Sequence, residues 1–392
     1  MEDVLVIIER DFQGLYSGAL GVSSINGGQT AANEALANLD ITGYANSRNQ
    51  VLPQSSRGAT MLSPYIRHNI LTLQQVSDAV GTAPYQDKEK FRGELLWQEY
   101  NRHLYARVGV RLFENLRFEA DAMSPGDGWN RDMLCIDEVL NELETDGWLV
   151  NQTRMWLASH WTVRNKVGWV SGQERMFKEL LDGSRAANLL GWQWTVGAGT
   201  GKPYGFAKWQ VDKRAPGLCS RCSLKSSCPI AEFPEEMTLS HSASYERLET
   251  DPDLAATRGP LMPELNRSAE YVLLTIDSLG DADPALNAHL ELPVVFVFNE
   301  PALRKLQLSS RRIAFYLQTL QDLSARRDVR VFLGDPYEFA KDHPVAVTFA
   351  PVPSFQKFKN LAEVYPYPWF RMPHGGSVKS FSSWRKNFPK NY

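Results

Sequence analysis

No apolar run in the 392 residues approaches the roughly 20 that cross a bilayer, which excludes a transmembrane helix on sequence grounds. The first residues, MEDVLVIIERD, are acidic and short, unlike a secretory leader, so a cytoplasmic location is expected. Charge of one sign is also scarce. A net charge of -3 gives no bulk attraction to a polyanion, so any nucleic-acid binding must come from a local basic surface. Internal repeats and low-complexity tracts are absent, which excludes solenoids and disordered tails. Cysteine is rare, with four in the chain, yet three fall in one stretch, LCSRCSLKSSCPI, Leu218 to Ile230. In a reducing compartment such a cluster favours a metal or redox site over disulfides.

What is present divides the chain in two. Eleven tryptophans are many, and they gather in a first half whose apolar residues recur at helical spacing. LLWQEYNRHLYARV, IDEVLNELETDGWL, NQTRMWLASHWTVRNKVGW and QERMFKELLDGSRAANLLGW each read as one amphipathic or buried helix. From about Tyr271 short β-rich runs take over: YVLLTI, PVVFVF, VRVFLG and VAVTFA, separated by helical stretches such as SSRRIAFYLQTLQDLSARR. That alternation predicts a doubly wound parallel sheet. The Pro- and acid-rich stretch 232–263 separates the halves, so the expected organisation is α plus α/β, with a helical domain over 1–250 and an α/β domain over 251–392. GAGTGKPYG, Gly197 to Gly205, is a decoy: a phosphate loop would need Gly at Val196 and Ser or Thr at Pro203.

Six elements carry a resemblance. GGQTAANEAL, YANSRNQ, GATMLSPYI, ELLWQEYNRHL, DGWLVNQTRMWLASHW and ELLDGSRAANLLGWQW follow one another as do the flavin-binding motifs of the photolyase and cryptochrome family. LGDADPALNAHLELPVVFVFNEP, SSRRIAFYLQTLQDLSAR and VRVFLGDP resemble the family's α/β antenna domain. In the family that domain comes first, whereas here it comes last. VKSFSSWRKNF, near the C-terminus, resembles the segment that ordinarily leads into the helical domain. The chain therefore resembles a circularly permuted member, an arrangement that domains with adjacent surface termini tolerate.

The resemblance implies FAD as cofactor and assigns residues. Tyr44, Thr60, Met61, Leu62 and Ser63 would cradle the flavin phosphates, which backbone amides at a helix start also suit. Asn151, Arg154, Asp182, Gly183 and Ser184 would line the flavin, with Arg154 and Asp182 paired beside the ring system and Asn188 facing its N5. Trp192 and Trp169 match the first two tryptophans of an electron-transfer ladder. The third position falls near Leu116, with no Trp there; Trp129, Trp161 or a metal site would have to supply the exit. Buried tryptophans taken alone are usually core. Glu94, Trp97, Met155 and Trp194 match the residues that contact a flipped pyrimidine dimer. Val150 stands where (6-4) enzymes carry His. Gln98 and Gln152 replace arginines, and Ser184 an aspartate.

Four thiols suit zinc or an iron-sulfur cluster, and they can also stand unliganded. One C-x2-C, one C-x5-C-P and the distant Cys135 differ from the paired C-x2-C spacing of a structural zinc site. The arrangement resembles the iron-sulfur branch of bacterial photolyases and cryptochromes, which implies a [4Fe-4S] cluster on Cys135, Cys219, Cys222 and Cys228, with zinc as the alternative.

These readings predict a light-dependent DNA repair lyase that uses reduced FAD to split pyrimidine dimers, with UV-damaged DNA as partner. The alternative is a cryptochrome-like blue-light photoreceptor without repair. Binding of an antenna chromophore is left open, and none of these motifs sets an oligomeric state, a monomer included.

Overall fold

The computed structural model describes residues 2–120 and 124–389. A five-stranded parallel sheet forms from β2 (Tyr271–Leu274), β3 (Val294–Asn299), β5 (Val329–Gly334), β6 (Val345–Thr348) and β7 (Ala362–Tyr365), ordered β5-β3-β2-β6-β7. The chain starts in the middle and winds outward in both directions, the doubly wound pattern. Side chains alternate across the pleat. Val272, Leu274, Val294, Phe296 and Phe298 enter a large core shared with the helical half. Leu273, Val295, Val297, Val345 and Val347 enter a smaller core on the other face. The strand β7 lies at the sheet edge with Glu363 inside it, which hides its apolar pattern from a sequence reading.

The helical half is built on the 24-residue helix Tyr85–Val108, packed by Leu134–Asp146, Asn151–Ser159, Trp169–Glu179 and Arg185–Val196. Two expected single helices are each broken. The stretch from Asn151 leaves α-helical form in a π-helical turn at His160–Arg164 before the next helix begins at Trp169. The stretch from Gln173 stops at Glu179 and restarts at Arg185, where Ser184 accepts from the Ala187 amide as N-cap. A serine offers the backbone such a bond outside the helix, so it starts helices better than it continues them. The break places the Asp182-Gly183-Ser184 turn between two helices.

The ends of the chain cross between the halves. The helix Val4–Asp11 lies on the helix Ser310–Ser324, and β1 (Tyr16–Ser17) pairs in parallel with β4 (Leu308–Ser309). At the other end a strap over 369–388 returns to the long helix, and its short helix Phe381–Arg385 sinks Trp384 completely into the helical core. The Trp384 indole N–H donates to His103 Nδ1 at 2.9 Å, Tyr100 donates to the Val378 carbonyl at 2.9 Å, and the Arg371 amide donates to the fully buried Glu99 at 2.8 Å. Arg107 donates to the carbonyls of His374 and Gly376.

Candidate flavin site and cysteine cluster

The turn between the two broken helices is the anchor of the site. Arg154 Nη2 meets Asp182 Oδ2 at 2.7 Å, and Arg154 Nε also holds the Leu149 carbonyl at 3.1 Å. Asp182 is buried, and its second oxygen, Oδ1, has no partner. A buried unpaired carboxylate oxygen is costly, so it marks a place where a ligand donor belongs. Gly183 cannot carry a side chain, because a β-carbon there would collide with Arg312.

Asn188 lies one turn into the next helix. Its amide nitrogen donates to the Gln173 carbonyl at 2.9 Å and to Gln173 Oε1 at 3.1 Å. Those two donations fix the amide's orientation and leave its oxygen as the acceptor for a ligand N–H. Gln173 is itself fully buried. Sequence reasoning missed it, although its place four residues after Trp169 on the same helix face was readable.

The residues expected on the phosphate side all precede the long helix. Ser63 opens a short helix, Ser63–Arg67, and accepts from the indole of the buried Trp148 at 3.0 Å. Met61 takes a φ of 56°, in the left-handed region that L residues seldom enter. Thr60 is half-buried and borders an open polar cleft of about 330 Å³ with Ser47, Arg57 and Gly58. Leu62 is core. Tyr44 is buried edge-to-face against Phe91 at 5.1 Å, and burial, reinforced by the charge of Glu94, keeps its hydroxyl protonated.

Glu94 and Trp97 are three residues apart on the long helix and so share a face. Glu94 pairs with Lys90 at 2.9 Å and Arg48 at 3.5 Å. Trp97 and Trp194 are each 41% exposed, unusual for tryptophan in a chain where most are buried. Each has an aromatic neighbour: Phe381 stacks on Trp97 with centroids 4.1 Å apart and planes at 10°, and Tyr204 lies 5.2 Å from Trp194. Gln152 donates to the Tyr204 hydroxyl at 3.2 Å. Met155 is half-buried, one turn from the exposed Asn151, whose amide approaches its sulfur at 3.8 Å.

Trp192 is buried with its indole N–H unpaired. Its ring lies 6.3 Å from Trp161 and 6.5 Å from Trp129, and those two are 4.9 Å from each other. Trp169 instead turns its indole N–H to Asn115 at 3.3 Å, and among the described residues no ring pair joins it to Trp192. Leu116 is core.

The four cysteines converge. Cys135 is in the first turn of the helix Leu134–Asp146, Cys219 lies in the short helix Leu218–Arg221, and Cys222 and Cys228 follow in the loop. All four line one small cavity of about 20 Å³, together with Met133, Lys208, Lys225 and Ile230. Burial pushes the thiols of Cys135 and Cys219 up to about 12; the neighbouring cysteines add to the first shift, and the Asp212 carboxylate to the second. Among the described residues no three His, Cys, Asp or Glu side chains are close enough to hold a single metal ion.

Residues 91–211 match the family described as the FAD binding domain of DNA photolyase. The deoxyribodipyrimidine photo-lyase of Vibrio cholerae is 28% identical over 169 residues, 38% of this chain and 35% of that protein. Its counterpart from Thermus thermophilus is 28% identical over 165 residues, 40% of this chain and 39% of the relative. The chain thus spans little more than a third of the length of these curated relatives. A crystal structure of a bacterial class III photolyase from Agrobacterium tumefaciens aligns with a TM-score of 0.38 at 26% identity, over 43% of this chain and 37% of that one. The family match over residues 91–211 takes in the Asp182 turn, Asn188, Trp97 and Trp194.

Proposed function

We propose that this chain is a light-driven DNA repair flavoprotein that splits pyrimidine dimers. The observation that carries the reading is that Asp182 keeps one buried carboxylate oxygen without a partner, in a segment that matches an FAD-binding domain and that also carries Glu94 and the half-exposed indoles of Trp97 and Trp194. The residues fit the cofactor: Asp182 Oδ1 and the oriented oxygen of Asn188 are acceptors awaiting donors, and a flavin ring system offers N–H groups. Thr60 to Ser63 and Tyr44 would hold the phosphate side. FAD, when bound, would supply light-driven electron-transfer chemistry at this site. Trp97 and Trp194 receive the extruded bases by stacking, which offsets a few kcal/mol of unstacking. Glu94, held in place by Lys90 and Arg48, accepts a hydrogen bond from the base edge.

The order of domains supports the finer reading of a circular permutation, with 1–250 as flavin domain and 251–392 as antenna-like domain. The cysteine set fits a [4Fe-4S] cluster better than zinc. Its donors are all thiols around one cavity, and their spread suits a cluster whose ligands attach to different irons. Lys208, and Arg164 near Cys228, place positive charge beside a site that becomes anionic when filled.

A light-dependent repair assay on dimer-containing single-stranded oligonucleotide tests the function. We expect repair by the fully reduced protein in blue or near-UV light, none in the dark, and a loss of about tenfold or more in Glu94→Gln, as for a hydrogen bond to a charged group. Flavin-loaded protein that binds but never repairs would favour the photoreceptor alternative, to which the departures at Gln98 and Gln152 point.

A further inference from the structure

We infer that Phe381, on the returning C-terminal strap, is the positioning residue that sets the orientation of Trp97 and decides which face of that indole a base can reach. The inference rests on the lesion-binding reading above for its consequence, but its geometry stands alone. The Phe381 and Trp97 rings are stacked nearly parallel, at 10°, with centroids 4.1 Å apart. Tyr100 closes the cluster edge-on, at 5.7 Å from Trp97 and 5.8 Å from Phe381. One face of Trp97 is therefore covered by the protein's own ring, while the residue as a whole stays 41% exposed.

The cover is anchored, which makes it a backing rather than a displaceable plug. Phe381 opens a helical turn capped by Ser380, whose hydroxyl accepts from the Ser383 amide at 3.2 Å. Three residues on, Trp384 is fully buried and bonded to His103 at 2.9 Å. The strap just before it is held by Tyr100 through the Val378 carbonyl at 2.9 Å. Removing Phe381 from its place would require extracting Trp384 from the core. A solvent-facing tryptophan otherwise samples several rotamers, and immobilising it on binding costs affinity. With Phe381 in place that ordering is complete before a base arrives, and the base stacks on the open face only.

The full chain, loaded with FAD and labelled with 5-fluorotryptophan, gives the test. The Trp97 resonance is assigned from Trp97→Phe, and fluorine NMR is compared for wild type, Phe381→Ala and Phe381→Tyr, each checked by its melting temperature. Phe381→Ala should shift and broaden the Trp97 resonance while Phe381→Tyr restores it; an unchanged resonance in folded Phe381→Ala overturns the inference. In parallel, dark binding to a thymine-dimer oligonucleotide should weaken roughly 2- to 10-fold in Phe381→Ala, the scale of one aromatic pair, and recover in Phe381→Tyr. The loss should vanish in a Trp97→Ala background, and its persistence there also overturns the inference. If wild type fails to prefer damaged over undamaged oligonucleotide, the lesion-binding reading falls, and the resonance alone decides the role of Phe381.

Discussion

Asp182 has two oxygens and uses one. The used oxygen faces Arg154 at 2.7 Å, and the other is buried without a partner. Asp182→Asn keeps the shape but removes the charge, leaving the Arg154 guanidinium without its counterion and replacing one acceptor with a donor. The cost should be about 1–3 kcal/mol, read as roughly a tenfold or greater rise in the FAD dissociation constant by fluorescence titration, with little change in secondary structure by circular dichroism. At the cysteines the expected outcome is compositional. Protein purified without oxygen should contain about four irons and four acid-labile sulfides per chain, and Cys219→Ser should lose them. Reconstitution should release protons, because thiols held at about 12 by burial must ionise to bind. Zinc at stoichiometry with no iron would replace the cluster reading.

These residue roles differ in how far the sequence revealed them. Asp182, Arg154 and Asn188 stand in motifs whose order is visible along the chain; the fold pairs Arg154 with Asp182 and holds Asn188 on Gln173. The roles of Gln173 and Phe381 were not legible, although the helix face that Gln173 shares with Trp169 was. Gln173 acts through a hydrogen bond between two helices, and Phe381 reaches Trp97 from 284 positions away in sequence; neither relation leaves a local pattern. For the same reason the sequence did not show that the rings of Trp129 and Trp161 meet Trp192.

Among elements, the helix Ser310–Ser324 reaches furthest into the other half. Its Arg312 is fully buried and, among the described residues, pairs with no carboxylate; Nη1 donates to the Phe177 carbonyl at 2.9 Å, Nη2 to the Gly183 carbonyl at 2.6 Å and Nε to the Tyr316 hydroxyl at 2.7 Å. Arg67 adds a 3.3 Å bond to the same Gly183 carbonyl and pairs with Asp277 at 2.6 Å. Two cations thus staple the Asp182 turn to the α/β half. Arg312→Met should cost about 2–4 kcal/mol, since each buried carbonyl left unpaired costs about 1–3 kcal/mol. The check is a lower urea midpoint at unchanged slope, accompanied by loss of flavin on gel filtration. The sequence showed this helix and four of the five sheet strands through their period. It did not show β7, where Glu363 interrupts the apolar run, nor the two helix breaks, where Ser184 and the π-helical turn at His160 override a continuous apolar stripe.

Across the whole molecule, buried histidines set an acid limit. Burial holds His68 well below its ordinary value, and it holds His160 and His374 down to about 4, with nearby arginines adding to each shift. A depressed folded value means the unfolded chain binds the proton more readily. These groups therefore contribute full stability above about pH 6.5, the ordinary histidine value, and lose it as pH falls toward about 4. The carboxyl of Glu99, lowered by His103 and Arg102 against its burial, works in the same direction further into acid. The melting temperature should hold from pH 7 to 8 and fall steadily below about 6.5, and His374→Asn should flatten part of that slope. The strap also predicts the behaviour of a fragment. Residues 1–250 expressed alone lack Trp384 and Phe381, so they should bind a hydrophobic dye and show weak near-UV dichroism beside the intact chain.

The strap has a further consequence during synthesis. Trp384 fills its socket beside Tyr100 and His103, yet it is translated long after the helix that receives it. At about 5–20 residues per second, the ribosome needs roughly 7 to 27 s to travel from residue 250 to Trp384. Through that interval the nascent helical half waits with an apolar socket open to water. Translation speed between residue 250 and Trp384 thereby becomes a determinant of how much of this protein assembles correctly.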